Sequence, residues 1–235
     1  MQPTIFLSII LKGGLTNEKQ AQEIGNRSRT GIVDGEFSRN RSSNPSAQSN
    51  RHQQGTSGLT PGLLAFYSVP SDINFNTTLS GDEQTIKADL DPIIAYDATG
   101  TGAGWKISVE AKQFTEDTPA SGFKPGTTAR TLPLGSLSLT APSTIIAAAV
   151  AGGKITTSPL PNLVAPATAA IDNGSSVKIV SADPNKGMGG YQIKFPSNAL
   201  ALTLNPATTY TDSVNYPSTA TPYTSALTWT LSVGP

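Results

Sequence analysis

The chain alternates between apolar and polar residues along Gly104-Trp105-Lys106-Ile107-Ser108-Val109-Glu110. Successive side chains of a β-strand point to opposite faces, so Trp105, Ile107 and Val109 share one face. Such alternation predicts a half-buried strand of a β-sheet domain. A second run of this kind lies near the C-terminus and reads Ala226-Leu227-Thr228-Trp229-Thr230-Leu231-Ser232-Val233.

The composition favours an extracellular all-β protein. Hydrophobic residues make up 37% of the 235 residues and charged residues only 14%, and the chain has 22 glycines and 18 prolines. Few charges with many turn-forming residues are typical of domains built from short strands. The formal net charge is zero, so no basic excess indicates a nucleic-acid partner. The chain has no cysteine, which excludes disulfides, and no apolar run approaches the roughly 18 residues that span a bilayer.

Two regions of different character meet at about residue 62. Residues 38–61 are rich in Ser, Asn, Arg, Gln and Gly, so they cannot bury enough apolar surface to offset the entropy lost on ordering. Thr4–Leu11 is apolar and is compatible with a degraded signal segment or with an ordinary strand. We therefore predict a largely disordered N-terminal extension or linker at residues 1–62 and a folded domain at residues 63–235.

Short apolar segments separated by turn residues fill the second region. Examples are Leu63–Val69, Ile93–Tyr96 and Ala199–Leu204. Frequent short strands with Gly and Pro turns, without strand–helix–strand spacing, predict a β-sandwich of the immunoglobulin-like or Greek-key type. The alanine-rich stretch at residues 143–150 is ambiguous, because its composition also suits a short helix.

Three segments carry a resemblance to a known family. Asp97-Ala98-Thr99-Gly100-Thr101-Gly102-Ala103 leads into the first tryptophan run, Lys186-Gly187-Met188-Gly189-Gly190-Tyr191 lies between the runs, and Trp229-Thr230-Leu231 lies near the C-terminus. Together they resemble the WxL domain of Gram-positive surface proteins over roughly residues 63–235. The first motif departs from the family pattern because Ile107 stands where leucine is expected. The resemblance implies a secreted protein that is held non-covalently on the cell wall through peptidoglycan.

The strand phase of the tryptophans favours a structural role over stacking on sugar rings. Each tryptophan lies on the apolar side of its strand, and the opposite side carries Lys, Ser and Glu in one run and Thr and Ser in the other. We therefore expect the family motif residues to pack in the core. These residues are Trp105, Ile107, Trp229 and Leu231.

Tyrosines in the loop at residues 205–224 are better candidates for sugar contact. Tyr210, Tyr216 and Tyr223 lie among Pro, Ser and Thr residues, and a tyrosine presents an apolar face with a polar tip. Each also has a structural alternative. Tyr223 could cap the last strand through a hydroxyl–backbone hydrogen bond, and Tyr210 could cover the edge of the sheet.

Catalysis and metal binding find no support in the sequence. His52 is the single histidine, and neither a Gly-x-Ser-x-Gly elbow nor a His-Glu-x-x-His helix occurs. No pair of carboxylates stands out for glycoside hydrolysis. Asp89, Asp91 and Asp97 could supply oxygen ligands to calcium, but their spacing is not that of an EF-hand. We predict a protein that is not an enzyme and has neither metal nor cofactor.

The sequence therefore predicts a secreted cell-surface protein that binds peptidoglycan or a wall polysaccharide, with other surface proteins as further partners. The alternative is a structural class, in which the chain is a subunit of a surface filament or a protein-binding adhesin. In that case an exposed edge strand or the N-terminal extension would pair with a neighbouring subunit.

Overall fold

The computed structural model describes residues 4–11, 59–149, 155 and 158–235. Strands and turns make up this part of the chain; it contains no helix, and hence none long enough to cross a membrane. The strands are β1 (Thr4–Leu11), β2 (Leu64–Ser68), β3 (Ile73–Thr78), β4 (Gln84–Ala88), β5 (Ile93–Asp97), β6 (Trp105–Ala111), β7 (Thr115–Glu116), β8 (Leu137–Thr140), β9 (Thr144–Ala147), β10 (Asn162–Leu163), β11 (Thr168–Ala170), β12 (Val177–Ala182), β13 (Gly189–Lys194), β14 (Leu200–Leu204) and β15 (Thr221–Val233).

The described strands form three sheets. The largest has the order β10-β12-β6-β15-β1-β3, and β7 also pairs with β15. The second sheet has the order β11-β8-β14-β4, and the third has the order β2-β5-β13-β9. Neighbouring strands are antiparallel, except that β1 runs parallel to β15. The predicted all-β, sandwich-like class is confirmed.

One hydrophobic core receives side chains from all three sheets, because each sheet has an alternating apolar face to bury. The strand β6 shows the pattern most clearly, since Trp105, Ile107, Val109 and Ala111 are buried and the residues between them are only half-buried. Removal of this apolar surface from water is the main favourable contribution to folding. The largest fully buried side chains are Trp105, Tyr191, Tyr223, Phe75 and Phe114.

The ambiguous stretch at residues 143–150 contains a strand and not a helix. Strand β9 pairs with β13, with Thr144 opposite Lys194 and Ala147 opposite Tyr191. The β-branched residues Thr144, Ile145 and Ile146 suit a pleated surface, and pairing with β13 outweighs the helix propensity of the alanines.

The N-terminal region includes a strand of the largest sheet. Thr4–Leu11 forms β1, in agreement with an ordinary strand, which was one of the two interpretations of this apolar run. Residues 12–58 lie outside the described residues. The disorder predicted for the polar stretch within them therefore stays a prediction. The boundary at residue 62 stays a prediction.

Candidate functional site

The two tryptophan motifs are neighbours across the largest sheet. In the antiparallel pairing of β6 with β15, Ile107 stands opposite Leu231, Trp229 opposite Val109, and Trp105 opposite Val233. Cross-strand pairs of this kind are the unit of sheet stabilisation. Trp105 is 0% exposed and Trp229 is 3% exposed, so both lie in the core and neither indole presents a face to a ligand.

Trp105 also fixes a turn that lies far away in sequence. Its indole Nε1 donates a hydrogen bond of 2.8 Å to the carbonyl of Gly187, and its ring lies 6.2 Å from that of Tyr191. Gly187 has a φ of 71°, and a Cβ there would lie 2.7 Å from Nε1 of Trp105. Glycine is required at this position because the indole approaches the backbone so closely. The first motif thus holds the turn at residues 187–189.

A second turn, which precedes Trp105, packs against the same region. The carboxylate of Asp97 accepts hydrogen bonds from the backbone N–H of Thr99 at 2.9 Å and from its hydroxyl at 2.6 Å. Such side chain-to-backbone bonds stabilise turns. Gly104 has a φ of 75°, and a Cβ there would lie only 2.3 Å from the carbonyl oxygen of Ala182. Gly104 thus packs closely on the end of β12, and the two turns themselves meet where Gly189 pairs with Asp97.

An open cleft of about 610 Å³ lies where these turns meet. Its apolar surface includes Ala98, Pro159 and Met188, and its polar groups include Asp97 and Ser158. The sequence did not identify these residues as a binding surface. The signal that could have indicated it is the density of glycines in both segments, because closely approaching turns require residues without a side chain.

Trp229 differs from Trp105 in its polar contacts. Its indole Nε1 is buried and donates to no described residue. The ring packs instead against Phe195, with 5.9 Å between the ring centroids. The two motif tryptophans share a core position, but only Trp105 has a hydrogen-bonded indole among the described residues.

Of the three candidate tyrosines, Tyr210 and Tyr216 lie in the loop before β15, and Tyr223 lies in β15, with its hydroxyl bonded to that loop. Tyr210 is 56% exposed, with the Arg130 guanidinium carbon 5.9 Å from its ring centroid. Tyr216 is partly buried and its hydroxyl donates to the carbonyl of Asp117. Tyr223 is fully buried, and its hydroxyl donates to the carbonyl of Tyr210 at 2.8 Å. Tyr210 is thus the exposed member of the three, Tyr216 is partly buried with its hydroxyl engaged, and Tyr223 is enclosed and supports the loop.

Two buried carboxylates stabilise this loop. Asp212 accepts hydrogen bonds of 2.9 Å from the backbone N–H groups of Val214 and Asn215 and one of 2.6 Å from the side chain of Asn215. Glu116 accepts a bond of 3.1 Å from the backbone N–H of Arg130, while its Oε1 atom accepts none from a described residue. Glu116 and Asp212 carry no signal of their proximity in the sequence, because they lie far apart along the chain.

The surroundings push the pKa values of this pair apart. Burial raises the pKa of Glu116, and the neighbouring Asp212 raises it further against the effect of its backbone hydrogen bond. Burial would also raise the pKa of Asp212, but its hydrogen bonds from Asn215 and Val214 outweigh burial, so the pKa lies below its usual value. Burial raises the pKa of Tyr223 to about 12. These groups are enclosed and serve the packing of the loop.

The described residues contain no group of three or more His, Asp or Glu side chains placed to hold a metal ion. The Asp97 carboxylate accepts hydrogen bonds from Thr99 of its own turn, and Asp89 accepts a hydrogen bond of 2.6 Å from the backbone N–H of Asn198. His52 lies outside the described residues.

A family model described as "WxL domain surface cell wall-binding" matches residues 39–235. This description places the protein outside the cell, at the surface and the cell wall. Neither a curated protein nor a solved structure matches the chain.

Proposed function

The chain belongs to the WxL family of surface cell wall-binding domains, and we propose that it attaches non-covalently to the Gram-positive cell wall by binding peptidoglycan or a wall polysaccharide. The observation that carries this proposal is the open cleft at the Asp97 turn and the Gly187–Gly189 turn. The cleft is solvent-exposed, whereas the motif tryptophans are buried, so ligand contact falls to the turns and not to the indoles.

The lining of the cleft suits a sugar. Ala98, Pro159 and Met188 can pack against the C–H face of a pyranose ring, and Ser158 together with the backbone of Gly100 and Gly189 offers polar groups to its hydroxyls. Ligand sites are commonly concave, mostly apolar and supplied with a few polar groups that fix orientation. Each such contact is weak, and repeated units along the wall raise the overall affinity by multivalency.

Tyr210 and Tyr216 supply a second contact in the proposal, with Tyr223 as the residue that holds their loop. The exposed ring of Tyr210 offers an apolar platform with a polar tip. The Arg130 guanidinium beside that ring adds a positive charge, which suits anionic wall polymers.

The proposal excludes catalysis. Glu116 and Asp212 are two carboxylates that interact with each other, but they are only 3% and 1% exposed. Glycoside hydrolysis requires two carboxylates that reach the scissile bond of a bound substrate. Incubation with peptidoglycan should therefore release no soluble fragments.

Sedimentation of the full chain with insoluble peptidoglycan tests the proposal. Ala98→Trp fills the mouth of the cleft, and Ala167→Trp is the matched control because Ala167 is also exposed but lies outside the cleft. We expect Ala98→Trp to remain in the supernatant and Ala167→Trp to sediment, with circular dichroism showing that both fold. Undiminished sedimentation of the folded Ala98→Trp variant would contradict a role for the cleft.

The alternative class, a filament subunit or protein-binding adhesin that acts through strand pairing, is supported by one feature. The strand β1 is inserted between β15 and β3 although it lies far from both along the chain. Strand pairing is compatible with wall attachment through the cleft, because no residue that lines the cleft belongs to β1, β3 or β15. Polymers visible by electron microscopy without added wall would support the alternative.

A further inference from the structure

The strand β1 completes the largest sheet by joining two strands that otherwise do not meet. It pairs in parallel with β15, from Ile5 opposite Thr221 to Leu11 opposite Leu227. Its other edge pairs antiparallel with β3, which has no further strand partner among the described residues. Without β1, the backbone groups of β3 and of the first half of β15 would form two open edges that face one slot.

On β15, the residues that stand opposite every second residue of β1 are all buried. Leu7 stands between Tyr223 of β15 and Phe75 of β3, and both of these side chains are buried. Ile9 stands between Ser225 and Ile73, which are also buried. Residues directly opposite in adjacent strands share a face of the sheet. The neighbouring strands therefore present buried residues at every second position of the slot, and the sequence of β1 has Ile5, Leu7, Ile9 and Leu11 at those register positions.

The connection between β1 and β2 does not dictate which domain receives the strand. It runs from residue 12 to residue 63, which is 52 residues. A chain of this length can extend up to about 170 Å, several times the diameter of a domain of this size. A hairpin turn enforces pairing within one chain, but parallel strands need a long connection and lack that constraint.

We propose that β1 is an exchangeable strand, so that β1 of one copy fills the slot between β15 and β3 of a second copy of this chain. The exchanged strand makes the same backbone pairs as the strand in its own domain, so self-insertion and exchange differ mainly in entropy and depend on protein concentration. Reciprocal exchange gives closed dimers, and one-way exchange gives open chains of domains. This inference is independent of wall binding, although linked copies would bind a repetitive wall multivalently.

The absence of cysteine from the chain permits a direct test by engineered disulfides. Ser8 of β1 stands opposite Asn74 of β3, which is exposed. Opposed residues in antiparallel strands have Cα atoms about 4.5–5.5 Å apart, within the range that a disulfide spans. Ser8→Cys and Asn74→Cys would be made in separate chains, and both substitutions would also be combined in one chain.

The two single variants are unfolded together, refolded at high concentration and oxidised. Exchange predicts a disulfide-linked species of twice the chain mass on a non-reducing gel, in an amount that rises with concentration. Lys87→Cys replaces Asn74→Cys in the control, because Lys87 is an exposed strand residue that pairs with β14 and not with β1. The control mixture should yield far less heterodimer.

Two results would overturn the proposal. One is efficient intrachain closure in the combined variant with no heterodimer above the Lys87→Cys control, which would mean that β1 stays in its own domain. The other is failure of the combined variant to form either an intrachain or an interchain disulfide, which would mean that β1 does not occupy this register.

Discussion

Replacement of the two motif tryptophans by phenylalanine should have unequal effects on stability. Trp105 and Trp229 are both buried, and each exchange removes a similar amount of ring surface from the core. The difference lies in the indole N–H. That of Trp105 donates at 2.8 Å to the carbonyl of Gly187, whereas that of Trp229 is buried without a described acceptor.

The magnitude follows from these contacts. Trp105→Phe leaves the Gly187 carbonyl without its donor in a buried position, which costs about 1–3 kcal/mol beyond the packing loss. Trp229→Phe removes a buried N–H group that has no described acceptor. Removal of this unpaired group is favourable, so it offsets part of the stability that the variant loses from poorer packing. We therefore expect Trp105→Phe to lower the free energy of unfolding by about 1–3 kcal/mol more than Trp229→Phe does.

Equilibrium unfolding in urea, followed by far-ultraviolet circular dichroism, measures both variants. Equal denaturant slopes would show that the two unfolding reactions expose similar surface, so that the midpoints report stability. A Trp229→Phe variant that is as unstable as Trp105→Phe, or less stable, would refute the assigned role of the Gly187 hydrogen bond.

Three further predictions use the same unfolding assay or a titration. Gly104→Ala should be more destabilising than Gly100→Ala, because both have positive φ but only the Cβ at 104 would meet a backbone atom, the Ala182 carbonyl oxygen at 2.3 Å; equal midpoints would contradict this contact. The folded state binds the proton of Glu116 more tightly than the unfolded state does, so the contribution of this group to stability falls as pH rises from about 4.5 through its raised pKa. Glu116→Gln should therefore lose less stability than the parent chain over that range, and parallel pH profiles would contradict the raised pKa. Burial raises the pKa of Tyr223 to about 12, so this phenol should stay protonated near pH 10 in the folded protein. Absorbance titrations of the parent chain and of Tyr223→Phe should therefore show the same number of phenolates at that pH. One phenolate fewer in Tyr223→Phe would be the contrary result.

Local alternation was sufficient to predict much of the fold. The strands β6, β14 and β15 each alternate over five residues or more, and β6 and β14 bury the side that the sequence marks as apolar. The strand β15 does so as far as Trp229, whereas Leu231 is half-buried and Val233 is exposed. The short strands β7, β10 and β11 were not predicted, because two or three residues are too few to display a period. Their positions depend on pairing with strands that are distant in sequence.

The candidate site was less accessible to sequence reasoning because its contacts are non-local. The phase of Trp105 and Trp229 predicted that they face the core, but nothing in either run indicates that Ile107 stands opposite Leu231. The hydrogen bond from Trp105 to Gly187 spans 82 residues of sequence, so the cleft above it follows only from the fold.

If the cleft binds the wall as proposed, a motif tryptophan would affect wall binding without touching the wall, because it supports the turns that line the cleft. Trp105 joins β6 to the turn at residues 187–189 through Gly187, and that turn lines the cleft together with Asp97. Truncation of a buried tryptophan to alanine typically costs about 3–5 kcal/mol, a large fraction of the stability of a domain. Loss of binding in such a variant would therefore report the loss of the fold or of the cleft geometry. Only substitutions at exposed positions, such as Ala98→Trp and Tyr210→Ala, separate contact with the ligand from support of the site, because they leave the paired motifs and the core intact.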